Sequence, residues 1–211
     1  YMTGGTVSNC VLAKGSATYH QGGGVYLNGS GAVIEHCIIR DNTATREGSG
    51  VGIGSSGGIV RHCEIVDNYA PNREDAIYMA AGLVENCLVA RNTSGNYYNR
   101  GTISLNGPGD VRFCTVADNV SAGSSGGIWL KSGATVRNCI VVNNRLATGV
   151  PRDVVNTGGS VTFSCSPDLI DEEGNTTGDP LFEHAANGDY RLSPGSAALD
   201  AGTDIPGVGA D

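Results

Sequence analysis

The sequence predicts an all-β chain, a right-handed parallel β-helix of about six to seven coils with a C-terminal capping segment. Three observations predict it. Seven cysteines, Cys10, Cys37, Cys63, Cys87, Cys114, Cys139 and Cys165, recur at spacings of 27, 26, 24, 27, 25 and 26 residues, and none falls outside the series. Aliphatic, largely β-branched columns flank each cysteine with the alternation of strands. Turn-forming clusters separate the strands, and no segment carries the 3.6-residue period of a helix.

Each element follows from that frame. Three positions before the cysteine stand Val7, Ile34, Val60, Val84, Val111 and Val136; two positions after it stand Leu12, Ile39, Ile65, Val89, Val116 and Val141. Both columns point inward. The step from minus three to zero is odd, which breaks the period of two and requires a short bend. A Gly-rich strand precedes each cysteine by 10 to 12 residues: "GGGVYL" (22–27), "GSGVGI" (48–53), "EDAIYM" (74–79), "RGTISL" (100–105) and "SGGIWL" (125–130). In these, Val25, Val51, Ile77, Ile103 and Ile128 point inward. One such unit cannot bury its inner face alone, but stacked units can. The right hand follows from the general preference of parallel crossovers.

Bulk composition narrows the function classes. The 211 residues suffice for one domain with a sizeable core. A formal net charge of −8 argues against a nucleic-acid partner, which needs a basic footprint, and disfavours an anionic membrane surface. No apolar run is long enough to span a bilayer. Residues 1–165 form the coils, and 166–211 form a cap or irregular extension of the same domain. In that cap Leu181, Phe182 and Leu192 are the expected anchors. The opening inside a repeat suggests further coils upstream.

The "GGGVYL" strand, the V-x-N/H-C-x-I core and the trailing Asn resemble the bacterial right-handed parallel β-helix repeat proteins of the pectate-lyase-like superfamily. The pairing of that strand with "DNTA" (41–44) is similar to repeats of polymorphic outer-membrane proteins. The segment "GDPLFEHAANGDYRLSPGSAALDAG" (178–202) resembles the closing segment of choice-of-anchor surface proteins. The resemblance implies a bacterial protein, secreted or held at the cell surface by a signal and anchor outside this sequence. It implies fold and location better than activity.

The cysteines are the first candidates for chemistry. Their number is odd and no Cys-x-x-Cys occurs, so zinc spacing is missing. Cysteines stacked one coil apart would hold parallel side chains about 4.8 Å apart, beyond the usual Cβ separation of about 4.5 Å in a disulfide. A column of reduced, buried thiols is expected. Five residues after successive cysteines stand Asn42, Asn68, Asn92, Asn119 and Asn144, which suit a left-handed turn and amide pairing along the stack. Both columns read as structural ladders.

The search for function therefore moves to the outward face of the Gly-rich strand. There Tyr26, Gly52, Tyr78, Ser104 and Trp129 succeed one another, with small residues leaving slots between aromatic rings. Two coil rises, about 10 Å, match an extended disaccharide repeat. Loops entering this strand bring His20, Arg46, Glu47, Arg73, Glu74, Asp75, Tyr97, Tyr98 and Arg100 towards one edge. Two readings stay open. One is a monomeric, adhesive or glycan-binding protein, whose ligand is a polysaccharide or host glycan held by Tyr26, Tyr78, Trp129, His20, Arg46 and Glu47. The other is a polysaccharide lyase or glycoside hydrolase. A lyase needs a base and a cation, as Tyr98 or His20 with Arg73 and Arg100 would supply. A hydrolase needs paired carboxylates, as Glu47 with Glu74 or Asp75 would supply. The catalytic motifs of pectate lyases and polygalacturonases are absent, which favours the first reading. No cofactor is expected and no metal; the run Asp171–Glu173 is the only weak calcium candidate.

Overall fold

The computed structural model describes residues 1–18, 21–72, 75–95, 100–131 and 133–205. The chain winds as a parallel β-solenoid of about six turns, as the repeat predicts. Strands of the same kind from successive coils pair in parallel and in register. The post-cysteine stack runs from Val11–Ala13 through Ile38–Arg40, Glu64–Val66, Leu88–Ala90 and Thr115–Ala117 to Ile140–Val142. The pre-cysteine and Gly-rich stacks join into one twelve-stranded sheet, because the first coil runs unbroken from Val25 to Glu35. Two-residue strands, such as Thr43–Ala44 and Tyr69–Ala70, build a fourth stack.

The core is the inward columns superimposed. Leu27, Ile34, Ile39, Ile53, Ile65, Ile77, Met79, Ile103, Leu105, Ile128 and Leu130 are all fully buried. At about 25 cal/mol per Å² of apolar surface removed from water, such a continuous column is the main stabilising term.

The expected bend is a left-handed residue immediately before each of the first six cysteines: Asn9, His36, His62, Asn86, Phe113 and Asn138 have φ between 49° and 53°. In the last coil Phe163 holds the bend with φ 50°, and Ser164 takes the cysteine's place, its hydroxyl donating to Thr162 O at 3.0 Å, so Cys165 stands one residue past the column and pairs beside Ile140 instead of continuing the ladder. Each such residue carries a cost that only a well-determined surround sustains. Part of that surround is the cysteine itself. The Cys37 thiol donates to Glu35 O across the bend at 3.2 Å, and Cys63, Cys87, Cys114 and Cys139 repeat the contact. All seven cysteines are free thiols; six are buried and Cys10 is exposed. Burial pushes the Cys139 and Cys87 thiols well above their ordinary value, and Cys165 up to about 11. Hydrogen bonds from the neighbouring cysteine side chains act the other way on Cys63 and Cys114, so the thiols share protons along the column while they satisfy backbone carbonyls.

The asparagine column departs from expectation in one respect. The left-handed residue of the second corner is the one before it, Asp41, Asp67, Arg91, Asp118 and Asn143, and in the first coil Lys14, before Gly15, with φ of 56° to 61°. The asparagines themselves turn inward and are buried. Asn42 donates from its backbone N and its Nδ2 to Asn68 Oδ1, both at 3.0 Å. Asn68, Asn92 and Asn119 repeat the pair, each towards the next coil. Each Nδ2 also donates to a carbonyl of the preceding coil, as from Asn92 to Ile65 O at 2.8 Å. The corner opposite is close in the first coils. A Cβ on Gly24 would stand 2.8 Å from Asn42 Nδ2, and one on Gly50 3.0 Å from Asn68 Nδ2.

The last amide, Asn144, has no further asparagine to donate to. Asp153 replaces it: its Oδ1 accepts from Asn144 N at 2.7 Å and Nδ2 at 2.8 Å. Asp168, from the capping segment, in turn accepts from the backbone N of Asp153 and Val154. Burial raises the Asp153 carboxyl from 3.8 to about 6; the Asn144 donors oppose the rise, and the Asp168 and Asp118 charges add to it.

The cap differs from its expected anchors. Leu181 is exposed, and Phe182 and Leu192 are half-buried, whereas Leu169 packs against the core. Phe182–His184 and Asp189–Leu192 form an antiparallel hairpin. The tail then returns along the solenoid. Tyr190 donates to Asp118 Oδ2 at 2.8 Å, and the Asn138 amide grips Thr203 N and O at 3.0 and 2.8 Å. A repeat alignment gives no view of this strap, because nothing in it repeats.

Two outcomes follow. Asn92→Ala leaves the buried N–H groups of Asn68 without their acceptor and should cost about 2–4 kcal/mol in urea unfolding. Asp153 has a folded pKa above its unfolded one, so its contribution to stability is complete below about pH 4 and is lost as pH rises through about 6. Asp153→Asn keeps the Oδ1 acceptor and should remove that loss. Relative to the natural chain it should gain up to about 3 kcal/mol between pH 4 and 7; a difference independent of pH would contradict this account.

Candidate functional site

The outward residues of the Gly-rich strands stand in one register: Tyr26 beside Gly52, Gly52 beside Tyr78, Tyr78 beside Ser104, and Ser104 beside Trp129. Alternation with the buried aliphatics sends them outward, and parallel in-register pairing stacks them. The rings do not stand upright between open slots. A Cβ on Gly52 would stand 2.6 Å from Tyr26 Cδ2, so the Tyr26 ring lies across the glycine of the next coil. Tyr78 leans the same way; its hydroxyl accepts from Asn106 Nδ2 at 3.1 Å. The slots are therefore seats for the rings.

The three aromatics end up in different states. Tyr26 is half-buried, with the Tyr1 ring 5.6 Å from its own at a 30° tilt. Burial and the neighbouring Tyr1 push the Tyr26 phenol up. Trp129 is also half-buried. Tyr78 is only 9% exposed, because the Arg100 guanidinium lies 5.5 Å from its ring centre. Tyr78 thus has no open face for a ligand.

Arg100 is the centre of the polar cluster. Its Nη1 lies 3.7 Å from Glu47 Oε1 and 3.8 Å from Asp75 Oδ2. The two carboxylate oxygens stand no further apart than those distances end to end, about 7.5 Å. Asp75 is fully buried, and the side chains of Glu47 and Arg100 are 12% and 20% exposed. Gln21 Nε2 donates to Glu47 Oε2 at 3.3 Å. The structure thus brings together Glu47, Asp75, Arg100 and Tyr78 from three successive coils. His20, Arg73, Glu74, Tyr97 and Tyr98 lie outside the described residues.

Beside this cluster, towards the first coil, opens a cleft of about 670 Å³ lined by Tyr1, Ala17, Gln21, Gly22, Tyr26 and Arg46. Arg46 is exposed there. At the other end of the face, Lys131 follows Trp129 by two strand positions and so shares its side. Neither Arg46 nor Lys131 pairs with an acid among the described residues. Alignment of inward columns had no means of finding Lys131, since it lies past the last aliphatic of the strand.

The remaining candidates lie elsewhere. Asp171 of the acidic run accepts from Thr177 N and Oγ1 and so stabilises the cap loop. Among the described residues no three His, Cys, Asp or Glu side chains converge on a metal position. No helix among them is long and apolar enough to cross a membrane.

Arg100→Met should expose what the cation does. Two close carboxylates, one buried, would lose the positive charge that Arg100 sets between them, at a cost of about 3–5 kcal/mol at pH 7. Their protonation would then be favoured by folding, so the deficit should shrink on acidification to about pH 4. A deficit of equal size at both pH values in chemical unfolding would contradict the ion-pair role.

A family model described as a right handed beta helix region matches residues 1–168. No curated protein and no solved structure matches the chain.

Proposed function

The chain belongs to the right-handed β-helix family, and from that premise we propose that it is a non-catalytic, glycan-binding protein of the bacterial cell surface or exterior. The observation that carries the reading is the cleft at Tyr26. The Tyr26 ring lies over the glycine of the next coil with the Tyr1 ring 5.6 Å from it, and Gln21 and Arg46 stand at the rim of the cleft that this aromatic pair lines. A flat apolar ring with amide and guanidinium donors beside it is how a protein surface takes a sugar: one apolar face stacks and the hydroxyls at the edge are hydrogen-bonded. The family supplies the frame, and the secreted or surface location rests on the resemblance of the repeat and tail.

One observation favours an enzyme instead. The carboxylates of Glu47 and Asp75 meet at one guanidinium, their nearer oxygens no more than about 7.5 Å apart, and paired carboxylates are what a glycoside hydrolase needs. Against it, both carboxylates flank the same guanidinium, and Asp75 is closed off from solvent. A general acid must reach the glycosidic oxygen, and a nucleophile must reach the sugar ring.

Tyr26→Ala separates the readings. It should lower affinity for a bound oligosaccharide by at least about tenfold in calorimetry, the weight of an aromatic platform, while the thermal transition changes little. Binding by the natural chain to no member of a broad glycan array would overturn the proposal. Release of reducing ends or of unsaturated uronate from a polysaccharide panel would replace it with the enzymatic reading.

A further inference from the structure

The returning tail leaves a cavity of about 310 Å³ between itself and the cysteine-side bend of the last coils. It shares no residue with the cleft at Tyr26. On the solenoid side it is lined by Phe113, Asn138 and Phe163, successive members of the left-handed bend column. The two ring-bearing positions stand two coil rises apart, about 10 Å, with the amide between them. Asn138 is engaged with the tail: its Nδ2 donates to Thr203 O and its Oδ1 accepts from Thr203 N. The bend itself does not call for rings. A bulky left-handed residue is an outlier, and asparagine tolerates this backbone far better. The earlier coils fill the column with Asn9, His36, His62 and Asn86. Phenylalanine enters it only at the two positions that line this cavity. Strain accepted without a need in the fold points to a use at that place.

The tail brings Asp200 and Asp204 to the same cavity. Both are exposed, and neither side chain has an ion pair or hydrogen bond among the described residues. The described lining holds no Lys, Arg or His. Cys165, in the wall, stays a neutral thiol, because burial and the charge of Asp179 raise it to about 11. Aromatic rings carry a negative face, the aspartates carry a full charge, and the chain as a whole stands at −8. Nothing in that set answers an anion. A metal ion is a poor match too, since it needs several oxygen ligands and no three His, Cys, Asp or Glu side chains converge among the described residues. A cation with an apolar body suits both halves of the wall. Its alkyl groups remove the rings from water, and its charge is drawn by ring faces and carboxylates alike. We propose that this cavity binds a small organic ammonium ion of the choline class, its alkyl groups against Phe113 and Phe163 and its charge towards Asp200 and Asp204.

Choline is the probe, and the neutral alcohol that carries carbon in place of its nitrogen is the control. Proton NMR titration reads the binding, because a ring beside the ligand moves its methyl signal upfield. Choline should bind about tenfold or more tightly than the neutral alcohol. Asp200→Asn with Asp204→Asn, both on the exposed tail, should weaken choline about five- to tenfold. Phe163→Asn gives the bend the residue that Asn86 and Asn138 already place there, so the backbone is kept. It should weaken choline about threefold or more and remove much of the upfield shift. Phe113→Asn should act likewise from the other ring. A phenylalanine variant with a lowered thermal transition leaves the decision to the aspartate pair. Tyr26→Ala should leave choline binding intact, and loss there would move the cation to the other cleft and overturn the assignment. Equal affinity for choline and the neutral alcohol, or no response to the aspartate pair, would overturn the proposal. So would calcium chloride displacing choline at equal concentration, which would make the site one for inorganic cations, or no shift of choline at millimolar concentrations.

Discussion

The asparagine ladder is the constraint on which the rest of the molecule depends. A buried amide must find partners for its oxygen and both its protons. Here each one finds them only if the coil before and the coil after stand at the correct height and rotation. Asn92 Oδ1 accepts from Asn68, and Asn92 Nδ2 donates to Asn119 and to Ile65 O. Three coils are thereby fixed by one side chain. Apolar contacts alone would tolerate sliding of the stack, since one aliphatic packs on another at many offsets. The ladder removes that freedom and explains two neighbouring features. The residue before each asparagine is left-handed because only that corner aims the amide inward. The opposing corner holds Gly24, Gly50 and Gly127, where a Cβ would stand 2.8 to 3.0 Å from the amide, and the small residues Ala76 and Thr102 in the two coils between.

A ladder with a direction must also end. Every amide donates towards the C-terminus, so the last one needs an acceptor. A carboxylate serves, at the cost of placing an acid among buried groups. Asp153 is the one rung of the stack whose hydrogen bonding survives both protonation states while its energy does not. Asp168 binds the backbone of the same residue, so the capping segment starts where the ladder stops. The closure of the solenoid is an answer to a hydrogen-bonding requirement as well as a hydrophobic one.

The repeat made most of this legible in the sequence. The spacing of the cysteines located every coil, and the aliphatic columns named the buried residues from Ile34 to Val141. Even the bend was visible, as an odd step in an even pattern. Three things were not visible, for physical reasons. Alternation assigns a side chain to the inside or the outside but says nothing about its lean along the stack. So Tyr78 could be placed on the outer face without its cover by Arg100 being apparent. Asp153 carries no cysteine-centred neighbour to align with; placing Val154 beside Ile128 would have put it at the glycine corner facing the ladder. The return of the tail to Asp118 and Asn138 is tertiary and non-repeating.

Because the ladder and the aliphatic columns hold the cross-section constant, the outward positions of the Gly-rich strands are free to differ from coil to coil. Their differences are ordered. A ring alternates with a small residue that seats it, and the middle ring is withdrawn under a guanidinium whose charge two acids balance.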